Sequence, residues 1–295
     1  MNCYLCSSTD FSTRKGQVRD DPKLTILECG SCGLVMLSSQ DHILSGFYEN
    51  SGGTGVHMQL SEDSGKYKES NLSMESWLKE TEADDRRRFK MVCSLIPDKK
   101  MLDFGCGNGG FLLLAETLAS KVIGVELEKR VSEHWQGRLK IVTSLEKAGD
   151  GYDLITAFHV IEHLTDPKSV LMELASCLAP GGRLVVEVPS SEDALLTLYD
   201  SEDFQRFTYW SQHLFLFNAD TLTKLARQAG LRVVAVQQCQ RFPLSNHLYW
   251  LSQGKPGGHQ KWSFLDSLIL NEAYSNALAR MGKCDTIIGF FEKLS

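Results

Sequence analysis

An α/β fold with a mostly parallel sheet and helices on both faces, preceded by a small module built on four cysteines, is predicted by three observations. From Lys100 onward, short apolar runs alternate with helix-like stretches, the pattern that parallel strands and their crossover helices require. The run Met101-Leu102-Asp103-Phe104 ends in a glycine-rich turn, Gly105-Cys106-Gly107-Asn108-Gly109-Gly110, which opens onto the apolar helix start at Phe111. Two C-x-x-C pairs, Cys3/Cys6 and Cys29/Cys32, stand 22 residues apart near the N-terminus. The 295 residues suffice for one large and one small domain. They divide into a cysteine module (1–40), a linker and helical segment (41–88) and the main α/β domain (89–295).

Hydrophobic content of 42% and charged content of 23% fit a soluble globular chain. A net charge of −6 gives no bulk attraction for nucleic acid or an anionic membrane. No apolar run reaches spanning length and no signal-peptide pattern opens the chain, so the cytoplasm is the expected location. Nine cysteines, an odd count without an export signal, argue for metal ligation and buried thiols over a disulfide framework.

Each C-x-x-C knuckle brings two thiolates to one edge of a tetrahedron, and the stretch between them folds back as strands. Gly30 and Gly33 suit the tight turns. Four thiolates close the coordination shell, so a zinc on Cys3, Cys6, Cys29 and Cys32 is structural. A redox dithiol pair and unmetallated cysteines are the alternatives. Further on, Ser51-Gly52-Gly53-Thr54-Gly55 reads as a turn cluster within a linker or lid. From about Ser73 to Ile96 the pattern is helical, with Phe89, Val92, Cys93 and Ile96 on one face. Arg86-Arg87-Arg88 follows Glu80, Glu82, Asp84 and Asp85, which makes it a solvated face laced with intrahelical pairs rather than a nucleic-acid patch.

The glycine turn fits two templates: G-x-G-x-x-G through Gly105, Gly107 and Gly110, and acid-x-G-x-G-x-G through Asp103, Gly105, Gly107 and Gly109. Asp103 favours the second, because a carboxylate repels a pyrophosphate and attracts a ligand with an ammonium and a sulfonium. Lys121–Val125 is the second strand and ends at Glu126, placed about twenty residues after the turn for a ribose diol. Lys140–Val142, Tyr152–Phe158 and Arg183–Val188 are strands three to five, the last preceded by a helix from Asp166-Pro167 that closes at Ala179-Pro180-Gly181-Gly182. After an aromatic stretch from Phe204 to Phe217, Asn218 caps a helix that Gly230 ends. Leu231–Val236 is a strand, residues 241–285 are an insertion with helices around Phe264 to Ala279, and Thr286–Phe291 is the last strand.

Asp103-Phe104-Gly105-Cys106-Gly107, together with "Asp-Leu-Ile … Phe-His-Val-Ile-Glu-His-Leu" and "Leu-Ala-Pro-Gly-Gly", resembles the class I S-adenosylmethionine-dependent methyltransferases over residues 100 to 240. The resemblance implies a Rossmann-like sheet of seven strands, the last an antiparallel edge strand. It implies cofactor binding by Asp103, Gly105, Cys106, Gly107, Gly109, Glu126, Leu127, Phe158 and His159, and more weakly by Ser144 and Leu145, where the usual acid is missing. The N-terminal four-cysteine knuckle and Gln212-His213-Leu214 resemble bacterial methyltransferases of sugar and polysaccharide biosynthesis. A small sugar or glycan-precursor acceptor is therefore expected, methylated at oxygen or carbon. His213 is the first expected base and His159 the second, with Tyr209, Trp210 and Gln212 lining the acceptor. A metal on His159, Glu162 and His163 is disfavoured, since no further ligand is evident in the sequence. Two other readings stand beside this one: an RNA base methyltransferase whose zinc module grips RNA, weakened by the sparse lysine and arginine around the knuckle, and a cofactor-binding scaffold without turnover.

Overall fold

The computed structural model describes residues 1–44, 46–49, 58–60, 67–69 and 73–293. The expected turn cluster at 51–55 lies outside these residues. In chain order the elements are β1 (Phe11–Thr13), β2 (Ile26–Cys29), β3 (Val35–Leu37), β4 (Met58–Leu60), β5 (Tyr67–Glu69), α1 (Met74–Val92), β6 (Lys100–Phe104), α2 (Gly110–Ala115), β7 (Lys121–Val125), α3 (Lys129–His134), β8 (Ile141–Val142), α4 (Leu145–Ala148) and β9 (Tyr152–Phe158). There follow α5 (Pro167–Cys177), β10 (Leu178–Pro189), α6 (Ala194–Thr197), α7 (Glu202–Thr208), β11 (Phe215–Leu216), α8 (Ala219–Gln228), β12 (Leu231–Cys239), α9 (Leu244–Gln253), α10 (Gly258–Lys261), α11 (Leu268–Met281) and β13 (Thr286–Lys293). The principal sheet has seven strands in the order β12-β13-β10-β9-β6-β7-β8.

Two compact units emerge, one of 1–42, 159–171 and 186–291, the other of 43–158, 172–185 and 292–295. In the second unit β6 is central, paired in parallel with β7 (Asp103 opposite Gly124) and with β9 (Asp103 opposite Thr156). Met101, Leu102, Ile123, Leu154 and Ile155 are buried, the continuous apolar runs that a parallel sheet covered on both faces requires. α1 is capped by Ser73, whose side chain accepts from the Ser76 N–H, and buries Met74, Trp77, Asp85 and Val92.

In the first unit, β1, β2 and β3 form an antiparallel meander, and β11 joins it against β3 with Phe215 opposite Met36. The cysteine module therefore shares a sheet with a segment 180 or so positions later (roughly; the register follows from strand pairing). Asn218 caps α8 in a reciprocal capping box with Thr221.

Three expectations change. The last strand, β13, lies between β12 and β10 instead of at the edge. Its first four residues, Thr286 to Gly289, are all buried, the mark of an interior strand, whereas β12 alternates with exposed positions. Ala179-Pro180-Gly181-Gly182 belongs to the start of β10 and not to a helix end, since α5 stops at Cys177. The start of the aromatic stretch, Phe204 to Thr208, lies in helix α7, which Ser201 caps.

Candidate functional site

The glycine turn is built as a backbone cradle. Gly105, Gly107 and Gly109 have φ of 70°, 52° and 83°, a region that side chains with a Cβ avoid. A Cβ on Gly109 would also meet Trp135 Nε1 at 2.8 Å, the indole whose N–H donates to the Asn108 carbonyl at 2.7 Å. Gly107 donates its N–H to Glu126 Oε2 at 3.0 Å, while Glu126 Oε1 accepts from the Glu128 N–H at 3.2 Å. The strand-tip acid is thereby locked onto the loop. Burial raises the Glu126 carboxyl above its usual range, against the pull of those N–H donors. Asp103 is buried and accepts from Thr156 Oγ1 at 2.6 Å. Burial pushes its carboxyl up to about 7, with Thr156 and Arg88 opposing and the nearby Asp85 and Glu126 adding to the rise.

The other expected cofactor residues of this unit comprise one in the turn and four outside it. Cys106 is buried within the turn and Leu127 is exposed beside Glu126. Ser144 is the N-cap position of α4 and Leu145 its first residue. Phe158 is buried at the end of β9, edge-on to Phe111 with ring centroids 5.1 Å apart.

α1 contributes residues that the sequence reading missed. Thr81 Oγ1 accepts from Asn108 Nδ2 at 2.9 Å and donates to the buried Asp85 at 2.8 Å. Trp77 lies 3.8 Å from the Cβ position of Gly107, and the Arg130 guanidinium sits 5.1 Å from its ring centre. Gly110 leaves room for the Asp85 carboxylate, which a Cβ there would strike. Arg86 and Arg87 pair with Glu82 and Asp84 on the helix surface as expected, but Arg88 turns inward, 5.1 Å from the Phe158 ring centre. Residues 77, 81, 85 and 88 are spaced 4, 4 and 3 apart, one helix stripe. That spacing was the available signal; the charge run around it masked it.

The first unit holds a polar cluster at the turn after β9. His159 follows Phe158 directly and has a left-handed φ of 54°. Its Nδ1 is 3.1 Å from Glu162 Oε1 and its Nε2 is 3.1 Å from Glu187 Oε1. Both glutamate side chains are fully buried, and the imidazole is 20% exposed. Arg241 NH1 lies 3.2 Å from His159 Nε2. Burial and Arg241 lower the imidazole pKa, Glu162 and Glu187 raise it, and the outcome is a value above the ordinary histidine range.

His163 and His213 meet edge-on near Glu162, their ring centroids 4.9 Å apart. His163 Nδ1 is 2.8 Å from the Gln212 carbonyl, to which it donates. Glu162 Oε2 and His213 Nδ1 are buried without a hydrogen-bond partner among the described residues. Burial, with His163 next, pushes His213 down to about 3, so its ring is neutral and a weak proton acceptor near pH 7. Tyr209, Trp210 and Gln212 are buried too. The Arg19 guanidinium covers the Trp210 ring at 4.7 Å, and Tyr209 fills the space where a Cβ of Gly16 would lie 2.5 Å from its ring. Tyr209 and Trp210 thus pack most of their ring area inside the fold.

The four knuckle cysteines converge. Cys3 and Cys32 sulfurs are 3.5 Å apart, as are those of Cys6 and Cys29, and all four lie within 4.8 Å of one another. A tetrahedral zinc with bonds of about 2.3 Å sets its sulfurs about 3.8 Å apart, so the donor set fits that ion. Gly33 turns the second knuckle with φ of 76°.

A family model described as a methyltransferase domain matches residues 74–236, more than half of the chain, beginning at the first residue of α1. A ubiquinone biosynthesis O-methyltransferase of Aeromonas salmonicida is 29% identical over 168 residues, which cover 50% of this chain and 69% of the relative. A protein of the same description from Acinetobacter baylyi is 23% identical over 174 residues, 52% of this chain and 71% of the relative. Among solved structures, an S-adenosylmethionine-dependent methyltransferase from Archaeoglobus fulgidus aligns with a TM-score of 0.50 at 17% identity, over 74% of this chain and 99% of that one, a likeness of fold.

Proposed function

The chain belongs to the family of methyltransferase domains, S-adenosylmethionine-dependent enzymes, and from that premise we propose that it methylates a hydroxyl of a small-molecule acceptor with His159 as the general base. The observation that carries this reading is the clamp on His159. A carboxylate fixes Nδ1, and Nε2 faces Glu187 and Arg241. In the neutral ring a proton on Nδ1 donates to Glu162 and leaves Nε2 to accept from Arg241, because guanidinium only donates. An imidazole held in that tautomer takes a hydroxyl proton at Nε2, and Glu187 is in place to accept a hydrogen bond from the resulting imidazolium. His213, neutral and buried, takes the packing role.

S-adenosylmethionine supplies an activated methyl on its sulfonium, and transfer is an in-line displacement by the acceptor oxygen. The protein's part is to bind, orient and keep water out. Asp103 suits the ammonium of the cofactor and Glu126 its ribose hydroxyls, while the Gly105–Gly110 backbone admits close approach.

A sugar or glycan-precursor hydroxyl is the acceptor class put forward from the knuckle and the Gln212-His213-Leu214 run. The relatives' name, O-methyltransferase of ubiquinone biosynthesis, supports oxygen as the receiving atom and adds an aromatic hydroxyl as the second class. A zinc on Cys3, Cys6, Cys29 and Cys32 is structural in this reading, since four thiolates leave no open position. Metal analysis after expression in zinc-rich medium is expected to find one equivalent per chain. Chelation is expected to melt β1–β3 while binding of the demethylated cofactor persists.

The decisive experiment is incubation with methyl-labelled S-adenosylmethionine and source-cell extract separated into sugar-nucleotide and glycan, aromatic, and RNA fractions. Label in either small-molecule fraction, lost in His159→Ala, is the expected result. Label in RNA, or in no fraction despite cofactor binding, overturns the reading in favour of RNA methylation or a scaffold.

A further inference from the structure

The insertion between β12 and β13 begins at Arg241 and ends at Asp285, and these two residues meet. Asp285 Oδ1 and Oδ2 accept from the Arg241 N–H at 3.1 and 3.0 Å, and Oδ2 also accepts from the Phe242 N–H at 3.1 Å and from Gln240 Nε2 at 2.8 Å. One carboxylate thus gathers the turn at 240–242. The turn delivers the Arg241 guanidinium to His159 Nε2. Behind it, Gln240 Nε2 is 3.2 Å from His247 Nε2, and His247 Nδ1 is 2.7 Å from the Tyr274 hydroxyl, which reaches Tyr199 at 3.0 Å. The helices of the insertion are anchored by Leu278, which packs with Ala194 and Cys284. Nothing in this arrangement is needed to close the sheet, since a short hairpin would join β12 to β13.

We propose that Arg241, set by Asp285, is a positioning residue that keeps His159 Nε2 the proton-accepting nitrogen, and that the insertion serves to present it. The proposal rests on His159 acting as the base. The alternative tautomer, with the proton on Nε2, donates to Glu187 Oε1 at 3.1 Å but sets that N–H beside the guanidinium and leaves Nδ1 facing the Glu162 carboxylate lone pair to lone pair. Arg241 disfavours this state. Once a hydroxyl proton arrives at Nε2, the ring becomes an imidazolium that donates to both Glu162 and Glu187, and the guanidinium yields the position. The charged and titratable groups acting on His159 in its unit are Glu162 and His163 on the turn after β9, Glu187 on β10, His213 before β11 and Arg241 at the start of the insertion, with Asp285 behind Arg241. Arg241 is the one fixed cation among these, and it favours the neutral imidazole.

The test is Arg241→Gln beside Arg241→Lys, with kcat/KM followed across pH and the His159 ring titrated by NMR without acceptor. Loss of the cation lets the imidazole keep its proton to higher pH. The acidic limb and the NMR midpoint of Arg241→Gln are expected to rise together by about one pH unit, and Arg241→Lys to stay near the parent. Asp285→Asn is expected to lower kcat in the parent and to add little in the Arg241→Gln background, because it acts through the same guanidinium. A lowered kcat with an unmoved NMR midpoint overturns the proposal, and so do additive effects of the two substitutions. An NMR midpoint that moves while His159→Ala retains full turnover leaves the Arg241–His159 link standing and overturns His159 as base. If Asp285→Asn does not fold, the Arg241 pair decides by itself.

Discussion

The glycine cradle and the His159 cluster are made in opposite ways. The cradle is almost contiguous: Asp103, Gly105, Gly107 and Gly109 lie within seven residues, and Glu126 sits at the tip of the neighbouring strand. Its key contacts, such as Gly107 N–H to Glu126, are short-range consequences of strand pairing. The His159 cluster draws on Glu162, Glu187, His213, Arg241 and Asp285, which the chain brings from five places. The cradle's chemistry is backbone conformation and one locked acid. The cluster's chemistry is the pKa of one imidazole, set by which carboxylates and cations are packed around it. A contiguous motif tolerates changes around it; a dispersed cluster depends on every segment that supplies it.

The sharpest way to break the contrast is to remove one member of each region. His159→Ala is expected to lower kcat by about a hundredfold to ten-thousandfold and to leave the affinity for the demethylated cofactor unchanged in calorimetry. A variant that turns over within tenfold of the parent would end the assignment of the base. Glu126→Ala is the converse: it removes an ionised acceptor from the Gly107 and Glu128 N–H groups and from the ribose. A loss of cofactor affinity of about thirtyfold is expected, at about 2 kcal/mol for a charged hydrogen-bond acceptor. If the binding constant is unchanged, Glu126 only holds the loop and the ribose lies elsewhere.

The two regions also differ in their response to pH. Asp103 is held up to about 7 in the ligand-free protein by burial. Its raised value means that the neutral form is the stable one. The contribution to stability is full below the ordinary carboxylate pKa of about 3.9 and is lost as pH rises through 7. A cofactor ammonium prefers the ionised form, so binding expels a proton at lower pH. Cofactor affinity is expected to fall by up to about tenfold for each pH unit below 7, and Asp103→Asn to bind weakly with a flat profile. A flat profile in the parent would show that the ammonium is bound by other groups. His159 behaves with the opposite consequence for function. Its pKa is raised, so its stabilising ion pairs are complete below the ordinary value of about 6.5 and are lost as pH rises through the folded-state value, which is where a base becomes competent.

The smallest effect on rate belongs to His213. His213→Ala removes a ring packed on His163 and Trp210, and a drop in Tm of a few degrees is expected, from a loss of about 1–2 kcal/mol, with kcat per folded molecule within tenfold. A hundredfold loss of kcat at an unchanged Tm would restore His213 as the base and sink the present division of roles.

Several features were legible because they are local. Strand β7 falls at the predicted Lys121–Val125 and β9 at Tyr152–Phe158, since a short apolar run between turn signals has few other solutions. The Asn218 cap follows from the preference of a short polar side chain for a helix N-terminus. The stripe Trp77, Thr81, Asp85 and Arg88 was present in the sequence but was read as part of a charged surface, because periodicity does not say which face of a helix finds a neighbour. The place of β13 in the sheet was illegible for a related reason: strand order depends on pairing among distant segments, and the apolar content of Thr286–Phe291 suits more than one position.

The sequence by itself determined the cradle, the four-thiol knuckle and the alternating strands and helices, because each is specified by residues close in the chain: glycines where φ must be positive, cysteines at ligand spacing, apolar runs of strand length. The tertiary structure decided the electrostatic surroundings of each histidine. His159 and His213 are the same side chain, each with an aromatic residue shortly before it and an aliphatic one directly after it. One is clamped between two buried carboxylates and its pKa rises; the other lies near Glu162 as well, but burial and the neighbouring His163 outweigh that carboxylate and its pKa falls. Desolvation and charge act through space over a few ångströms, and neighbours at that range come from segments far apart in the chain.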